Sequence, residues 1–246
     1  GQHELNLRYS DALSMADNHT IYKNGAKEIA HLQGKALTFM AKPTIDEPGS
    51  SCHIHSSIWS LDDDRPLCAA DDDRSEMSPI FRHWLGGILA HSRELSLCFA
   101  PFVNSYKRYQ PDSWAPTAVV WSPDNRTCGL RLVGQGPAMR VESRIPGADC
   151  HASIAFAAII AAGLDGIDRE LDCGDPYMGN GYTATDVERI PWNIVEAIDL
   201  FDSSSFARDS LGEDVHFHLL HAAREEWKAF NNVVTEWELR RNFERI

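Results

Sequence analysis

Between residues 10 and 33 apolar side chains recur at broken helical spacing: Ala12, Met15, Ala16, Ile21, Tyr22, Ala26, Ile29 and Ala30. Steps of three and four residues put side chains on one face of a helix, so this stretch predicts a helix. Ser10 or Asp11 can cap its start, and Gly34 ends it. Residues 78–99 predict a second helix, with Pro79 in the first turn, where its missing N–H has no intrahelical partner to lose. An alanine-rich helix over 151–171 has small side chains that permit close packing, and the charged last third, 192–246, is also helical. Between these lie short strands near 36–42, 51–60, 117–122, 128–133 and 139–145. The acidic stretch 61–75 reads as a solvated loop, while 101–116 and the glycine-bearing 172–191 have no clean period. No internal repeat is visible. Strands in the middle with helices around them predict an α+β domain, an antiparallel sheet with helices outside.

Composition narrows the function classes. The chain has 246 residues, 43% of them hydrophobic, enough for a sizeable core. Its formal charge of −13 argues against a nucleic-acid partner, which needs a basic face. No run approaches the roughly 20 apolar residues of a membrane span. The six cysteines form no Cys-x-x-Cys pair, and several sit in apolar runs, which predicts reduced thiols and a cytoplasmic location. The chain opens Gly-Gln-His-Glu with no initiator Met, so an N-terminally incomplete or processed chain is expected.

Four constellations could carry chemistry. In Ser51-Cys52-His53-Ile54-His55-Ser56-Ser57, strand alternation puts His53, His55 and Ser57 on one face. By itself such a pair is more often a hydrogen-bonded surface feature than a ligand set. In Arg140-Val141-Glu142-Ser143-Arg144 the alternation lines up Arg140, Glu142 and Arg144. A charged stripe on a central strand is costly unless it meets an ion or charged ligand. Arg108, Arg126 and Arg131 supply guanidinium forks that match phosphate oxygens, although any one arginine is ordinarily a surface residue. Glu4 is a lone carboxylate, and no Walker-type glycine loop is present, so phosphate binding would rest on metals and arginines. His216, His218 and His221 do not share one helix face, which disfavours a zinc site there.

Taken together, in order, these segments resemble the catalytic domain of the glutamine synthetase family, bacterial type I-like branch. The resemblance is carried by Gly1-Gln-His-Glu4, Ala36-Leu-Thr-Phe-Met-Ala-Lys-Pro43, residues 49–57, Asn104-Ser-Tyr-Lys-Arg108, Asn125-Arg126, Arg140-Val-Glu-Ser-Arg144 and Ala161-Ala-Gly-Leu-Asp-Gly166. It implies that 1–246 is one catalytic domain, N-terminally incomplete, whose antiparallel sheet is curved as part of a barrel. Carried over by position, Glu4 is a ligand of one active-site metal, and His53 and Glu142 are ligands of the other. His55, Ser57, Arg126 and Arg140 contact the nucleotide, with Arg126 also acting on the phosphates beside Arg131 in catalysis. Gly49, Arg108 and Arg144 hold the substrate glutamate. The implied cofactors are ATP with Mg2+ or Mn2+, and the implied partners are glutamate and ammonia or an amine. The full-length relatives form homo-oligomeric rings. The implied activity is an ATP-dependent carboxylate–amine ligase that phosphorylates the γ-carboxylate and then forms an amide.

Two substitutions depart from the family pattern. Trp114, in Ser113-Trp114-Ala115-Pro116, stands where the family has a Glu that attracts ammonium and takes its proton. Trp offers no base, only a flat apolar face that can pack an alkyl chain or hold a cation. Pro48 replaces an Asn that touches the substrate amino group. Both changes lie at the acceptor and substrate end, so the alternative to ammonia is γ-glutamylation of a polyamine or ethanolamine. The family's further carboxylate ligands, which precede the position of Glu4, are absent, so this chain alone is expected to bind metal weakly and not turn over. A phosphotransferase acting on an amine or guanidine, and a non-catalytic relative, are the other classes; product mass separates the first from a ligase.

Overall fold

The computed structural model describes residues 2–110 and 113–245; Gly1 of the first motif and residues 111 and 112 of the proline-rich segment lie outside them. The elements follow in the order α1 (Ala12–Leu32), β1 (Ile54–Ser56), α2 (Pro79–His91), α3 (Ser96–Phe99), α4 (Val103–Tyr106), β2 (Trp121–Pro123), β3 (Leu130–Val133), β4 (Arg140–Ser143), α5 (Ala152–Asp168), α6 (Ile194–Ser203), α7 (Ser205–Leu211), α8 (Glu213–Asn231) and α9 (Glu236–Asn242). Asp11 caps α1 by accepting the Ser14 N–H at 2.9 Å, and Ser78 caps α2 in front of Pro79.

The fold is α+β, with a small open sheet flanked by helices. The strands lie in the order β1-β4-β3-β2. The β1–β4 and β3–β4 pairs are antiparallel, as expected, but β2 runs parallel to β3. Only residues 124–129 join that parallel pair, far fewer than a helical crossover uses. The expected strand over 36–42 is irregular. Its Lys42 is instead clamped by a side chain: Lys42 N–H donates to Asn104 Oδ1 (3.0 Å) and Asn104 Nδ2 donates back to Lys42 O (2.9 Å). A backbone satisfied in this way needs no sheet partner.

The core is built where α2 crosses α5 behind the sheet. Phe81, Trp84, Leu85 and Ile88 of α2 are buried against Ala155, Ala158, Ile159 and Ala162 of α5. Removing each large side chain from water is worth about 2–3 kcal/mol. The close approach depends on glycine: a Cβ on Gly87 would stand 2.0 Å from Ala162 O and 2.7 Å from Gly166 Cα. The expected helix over 78–99 is interrupted by turns between α2 and α3, and the expected last helical third divides into α6 to α9. No helix among the described residues is long and apolar enough to cross a membrane.

Candidate functional site

The sheet brings the charged positions together. In the register, His55 of β1 and Arg131 of β3 both lie opposite Glu142 of β4. Residues opposite one another share a face, so alternation within each strand and pairing between strands converge on one carboxylate. Glu142 is 4% exposed. Its Oε1 lies 3.3 Å from His53 Nδ1, 3.0 Å from Arg144 Nη1 and 3.8 Å from His55 Nε2, and its Oε2 lies 3.2 Å from Arg131 Nη1. Burial would raise the Glu142 carboxyl. The hydrogen bond with His53 and the charge of Arg144 outweigh it and hold the group far below the usual carboxylate range. Burial lowers His55, assisted by Arg140 and opposed by Glu142, which favours its neutral form.

The surrounding side chains are oriented by a second set of bonds. Ser51 Oγ lies 3.0 Å from His53 Nε2, and Arg140 Nε donates to His55 Nδ1 at 3.1 Å. Arg131 is shared between Glu142 and Asp124, with its Nε donating to Asp124 Oδ1 at 3.0 Å. Arg108 is 2% exposed and donates to Ile145 O, which also accepts from Tyr109 O–H at 2.7 Å. Gly49 passes directly against Arg108; a Cβ there would come within 2.6 Å of both Arg108 Cγ and Ala41 O. Gln2 Nε2 donates to Gly49 O at 2.9 Å and so docks the N-terminal segment on this loop. Half-buried Tyr182 lies near enough to feel the charges of Arg144 and Arg108.

Six of the residues singled out in the sequence thus form one cluster: His53, His55, Arg131, Arg140, Glu142 and Arg144. Gly49 and Arg108 adjoin it through residue 145. Ser57 is exposed and accepts from Trp59 Nε1 at 2.9 Å. Arg126 is exposed on the turn after β2, which Asn125 holds by accepting the Thr127 N–H at 3.0 Å and donating to Gly179 O at 2.9 Å. Trp114 is 79% exposed with φ of 64°, a left-handed backbone that a bulky residue rarely adopts. Glu4 is exposed in the irregular segment before α1 and has no ion pair among the described residues. Sequence reasoning passed over Asp124, Ser51 and Gln2. Asp124 alone left a signal, since it lies two residues before Arg126 in Pro123-Asp124-Asn125-Arg126, a sequence rich in turn formers.

The donors fit the implied groups in part. An imidazole nitrogen and a carboxylate oxygen 3.3 Å apart suit two positions on one Mg2+ or Mn2+. Among the described residues, however, no three His, Cys, Asp or Glu side chains gather as a complete ligand set. The Nε atoms of Arg108 and Arg144 are buried without partners, which costs roughly 1–3 kcal/mol each unless an anion meets them. Guanidinium groups left this way fit a carboxylate ligand.

Several known proteins resemble this chain over its whole length. The profile of the family described as glutamine synthetase, catalytic domain, matches residues 1–242. The γ-glutamylethanolamide synthetase GlnA4 of Streptomyces coelicolor is 48% identical over 246 residues, covering all of this chain and 52% of that protein. A glutamate–isopropylamine ligase of a Pseudomonas species is 38% identical over 249 residues, again covering all of this chain and 54% of that protein. Proteins named glutamine synthetase match as well. A solved GmaS/ADP complex superposes with a TM-score of 0.89 at 31% identity, over 97% of this chain and 56% of that one. The chain spans about half the length of these relatives.

Proposed function

Given that the chain belongs to the glutamine synthetase catalytic-domain family, we propose that it is the catalytic part of an ATP-dependent ligase that joins the γ-carboxylate of glutamate to an organic amine. The observation that carries the reading is the buried Glu142, held between His53 and two arginines beside the partnerless Nε atoms of Arg108 and Arg144. Residues 1–246 act as one catalytic domain, working in the cytoplasm within a homo-oligomeric ring.

Arg108 and Arg144 hold glutamate, with the Gly49 backbone closing on it. His55, Ser57, Arg126 and Arg140 receive ATP. His53 and Glu142 would hold one Mg2+ or Mn2+, and Glu4 would contribute to a second; such an ion would draw charge off the phosphates. A γ-carboxylate oxygen of glutamate attacks the terminal phosphorus of ATP and the bond to ADP breaks. Arg131 and Arg126 neutralise charge on the phosphoryl group as it passes. The neutral amine then attacks the acyl phosphate carbon, and phosphate leaves, giving the amide, ADP and phosphate. Trp114 has no basic atom, so the proton lost by the attacking nitrogen passes to the departing phosphate or to water. Its indole face instead packs an alkyl chain, as ethanolamine or isopropylamine would present. The names of the two ligase relatives, one acting with ethanolamine and one with isopropylamine, support this acceptor class.

The test is product analysis with the native full-length protein, ATP, Mn2+, glutamate and a panel of ammonia, ethanolamine, isopropylamine and a polyamine. A γ-glutamyl amide with a 1:1 yield of phosphate is expected. Glutamine alone would overturn the organic-amine reading, and a phosphorylated amine without amide would overturn the ligase. Trp114→Glu should raise the preference for ammonia over the organic amine, as a ratio of kcat/KM, by about tenfold, the worth of one charged contact.

A further inference from the structure

We propose that Asp124 is a positioning residue that fixes the Arg131 guanidinium for phosphoryl transfer, a role that rests on the ligase reading above. Arg131 is pinned at both ends. Its Nη1 donates to Glu142 Oε2 at 3.2 Å, its Nε donates to Asp124 Oδ1 at 3.0 Å, and its Nη2 donates to that same oxygen. Each terminal nitrogen carries a second hydrogen. Those two hydrogens are left for phosphate oxygens, which accept well from a guanidinium fork held in one orientation.

An ion pair exposed on both sides ordinarily contributes little. This one is not of that kind. The Asp124 side chain is 80% exposed, but that of Arg131 is only 13% exposed, and its other partner is the buried Glu142. The backbone also places the aspartate. Asp124 directly follows β2, and its N–H donates to Leu132 O at 2.9 Å, one residue beyond Arg131 on β3. Its φ is 49°. Aspartate and asparagine are among the few residues that accept this left-handed backbone. Strand alternation thus aims Arg131 at Glu142, and the turn brings a second carboxylate to its other edge.

The charges explain why two anchors are needed. Glu142 already faces His53 and Arg144 as well as Arg131. With a neutral side chain at 124, Arg131 has only that crowded carboxylate left, through a single nitrogen, and its planar head turns about this one contact. A catalytic group misplaced by about 1 Å can slow a reaction roughly 100-fold. Asp124 touches neither substrate in this scheme. It acts through Arg131, so its loss should slow the chemical step and leave glutamate binding in place.

The experiment compares the native full-length protein with Asp124→Asn, which suits the same turn but carries no charge. The control is Asp172→Asn, which removes the charge from another exposed arginine partner, 2.8 Å from Arg82. Phosphate release and amide formation are followed in parallel while ATP and glutamate are varied. Asp124→Asn should lower kcat by about 10–100-fold, with KM for glutamate held within about twofold, and Asp172→Asn should match the parent. A crystal structure of Asp124→Asn should show Arg131 displaced, with His53 and Glu142 in place. The proposal is overturned if Asp124→Asn keeps the parent kcat, if its defect lies in KM for glutamate alone, if Arg131 has not moved, or if Asp172→Asn is slowed as much. A parent that releases phosphate without forming amide would overturn the ligase reading alone, because phosphate release still reads Asp124. A parent that consumes no ATP would overturn both.

Discussion

At the scale of single residues, the site depends on one carboxylate. Glu142 carries one charge against two guanidinium groups, and its surroundings keep it ionised. Replacing it with Gln keeps the shape but leaves Arg131 and Arg144 sharing a neutral amide. Removing one partner of a buried ion pair is strongly destabilising. Glu142→Gln should therefore lower unfolding free energy by about 3–5 kcal/mol, read as a shift in urea midpoint at unchanged slope; an unchanged midpoint would refute the central role given to this carboxylate. A second buried network lies away from the site. His91 Nδ1 faces Glu94 and its Nε2 faces Asp165 at 2.7 Å. With an acceptor on both nitrogens the ring must be the imidazolium. Burial lowers His91, but the two carboxylates outweigh it and raise the group above its ordinary value, while Glu94 and Asp165 are held below theirs. The histidine's contribution is complete below about pH 6.5 and is lost as pH climbs through its raised folded value. The carboxylates' contribution is complete above about pH 4.5 and is lost as pH falls through their lowered values. The stability gap between the native protein and His91→Asn should thus peak near pH 5–6, at roughly 1–3 kcal/mol, and narrow at pH 9 and at pH 3. A gap that is flat from pH 5 to 9 would show that His91 is neutral.

Elements were legible wherever local pattern and tertiary need agreed. α1, α2 and α5 lie within the stretches that periodicity predicts, and β3 and β4 likewise. The 36–42 segment failed because a side-chain clamp from Asn104 satisfies Lys42, and no alternation of apolar residues can reveal such a clamp. The parallel pairing of β2 with β3 was invisible for a related reason, since strand direction is fixed by partners and not by composition. Likewise the alternation in residues 51–57 and 140–144 showed which residues share a face. Only the register could show that both faces meet at Glu142. Trp114 was legible as a departure from a pattern, but its left-handed backbone was not. The α2–α5 crossing is where an element-scale prediction is sharpest. Gly87→Ala puts a methyl group into backbone atoms of the facing helix, and backbone cannot rotate aside. The cost should be about 3 kcal/mol, the upper end of overpacking, measurable by denaturant titration. A variant as stable as the parent would mean that the helices can slide apart freely.

For the molecule as a whole, one long helix remains largely uncovered. α1 has a single buried residue, Ala16, while Ile21, Ile29 and Leu32 stand exposed at helical spacing on either side of Gly25. A ridge of this kind on a 21-residue helix is a surface that associates. The isolated 246-residue chain should sediment as concentration-dependent oligomers, and the double variant Ile21→Lys, Ile29→Lys should shift it toward monomer. Monomeric behaviour of the parent at tens of micromolar would argue that the ridge is tolerated in water.

The register of β1 against β4 also has a consequence in time. His55 and Arg140 touch across 85 residues of chain. A ribosome adding about 5–20 residues per second finishes one half of the cluster roughly 4–17 s before the other. During that interval the histidine strand has no carboxylate to face, and the glycine-lined groove of α2 has no α5 to fill it. The candidate site therefore cannot close until β4 has been made, and a nascent chain must hold its apolar helix faces apart from other chains until the second half arrives.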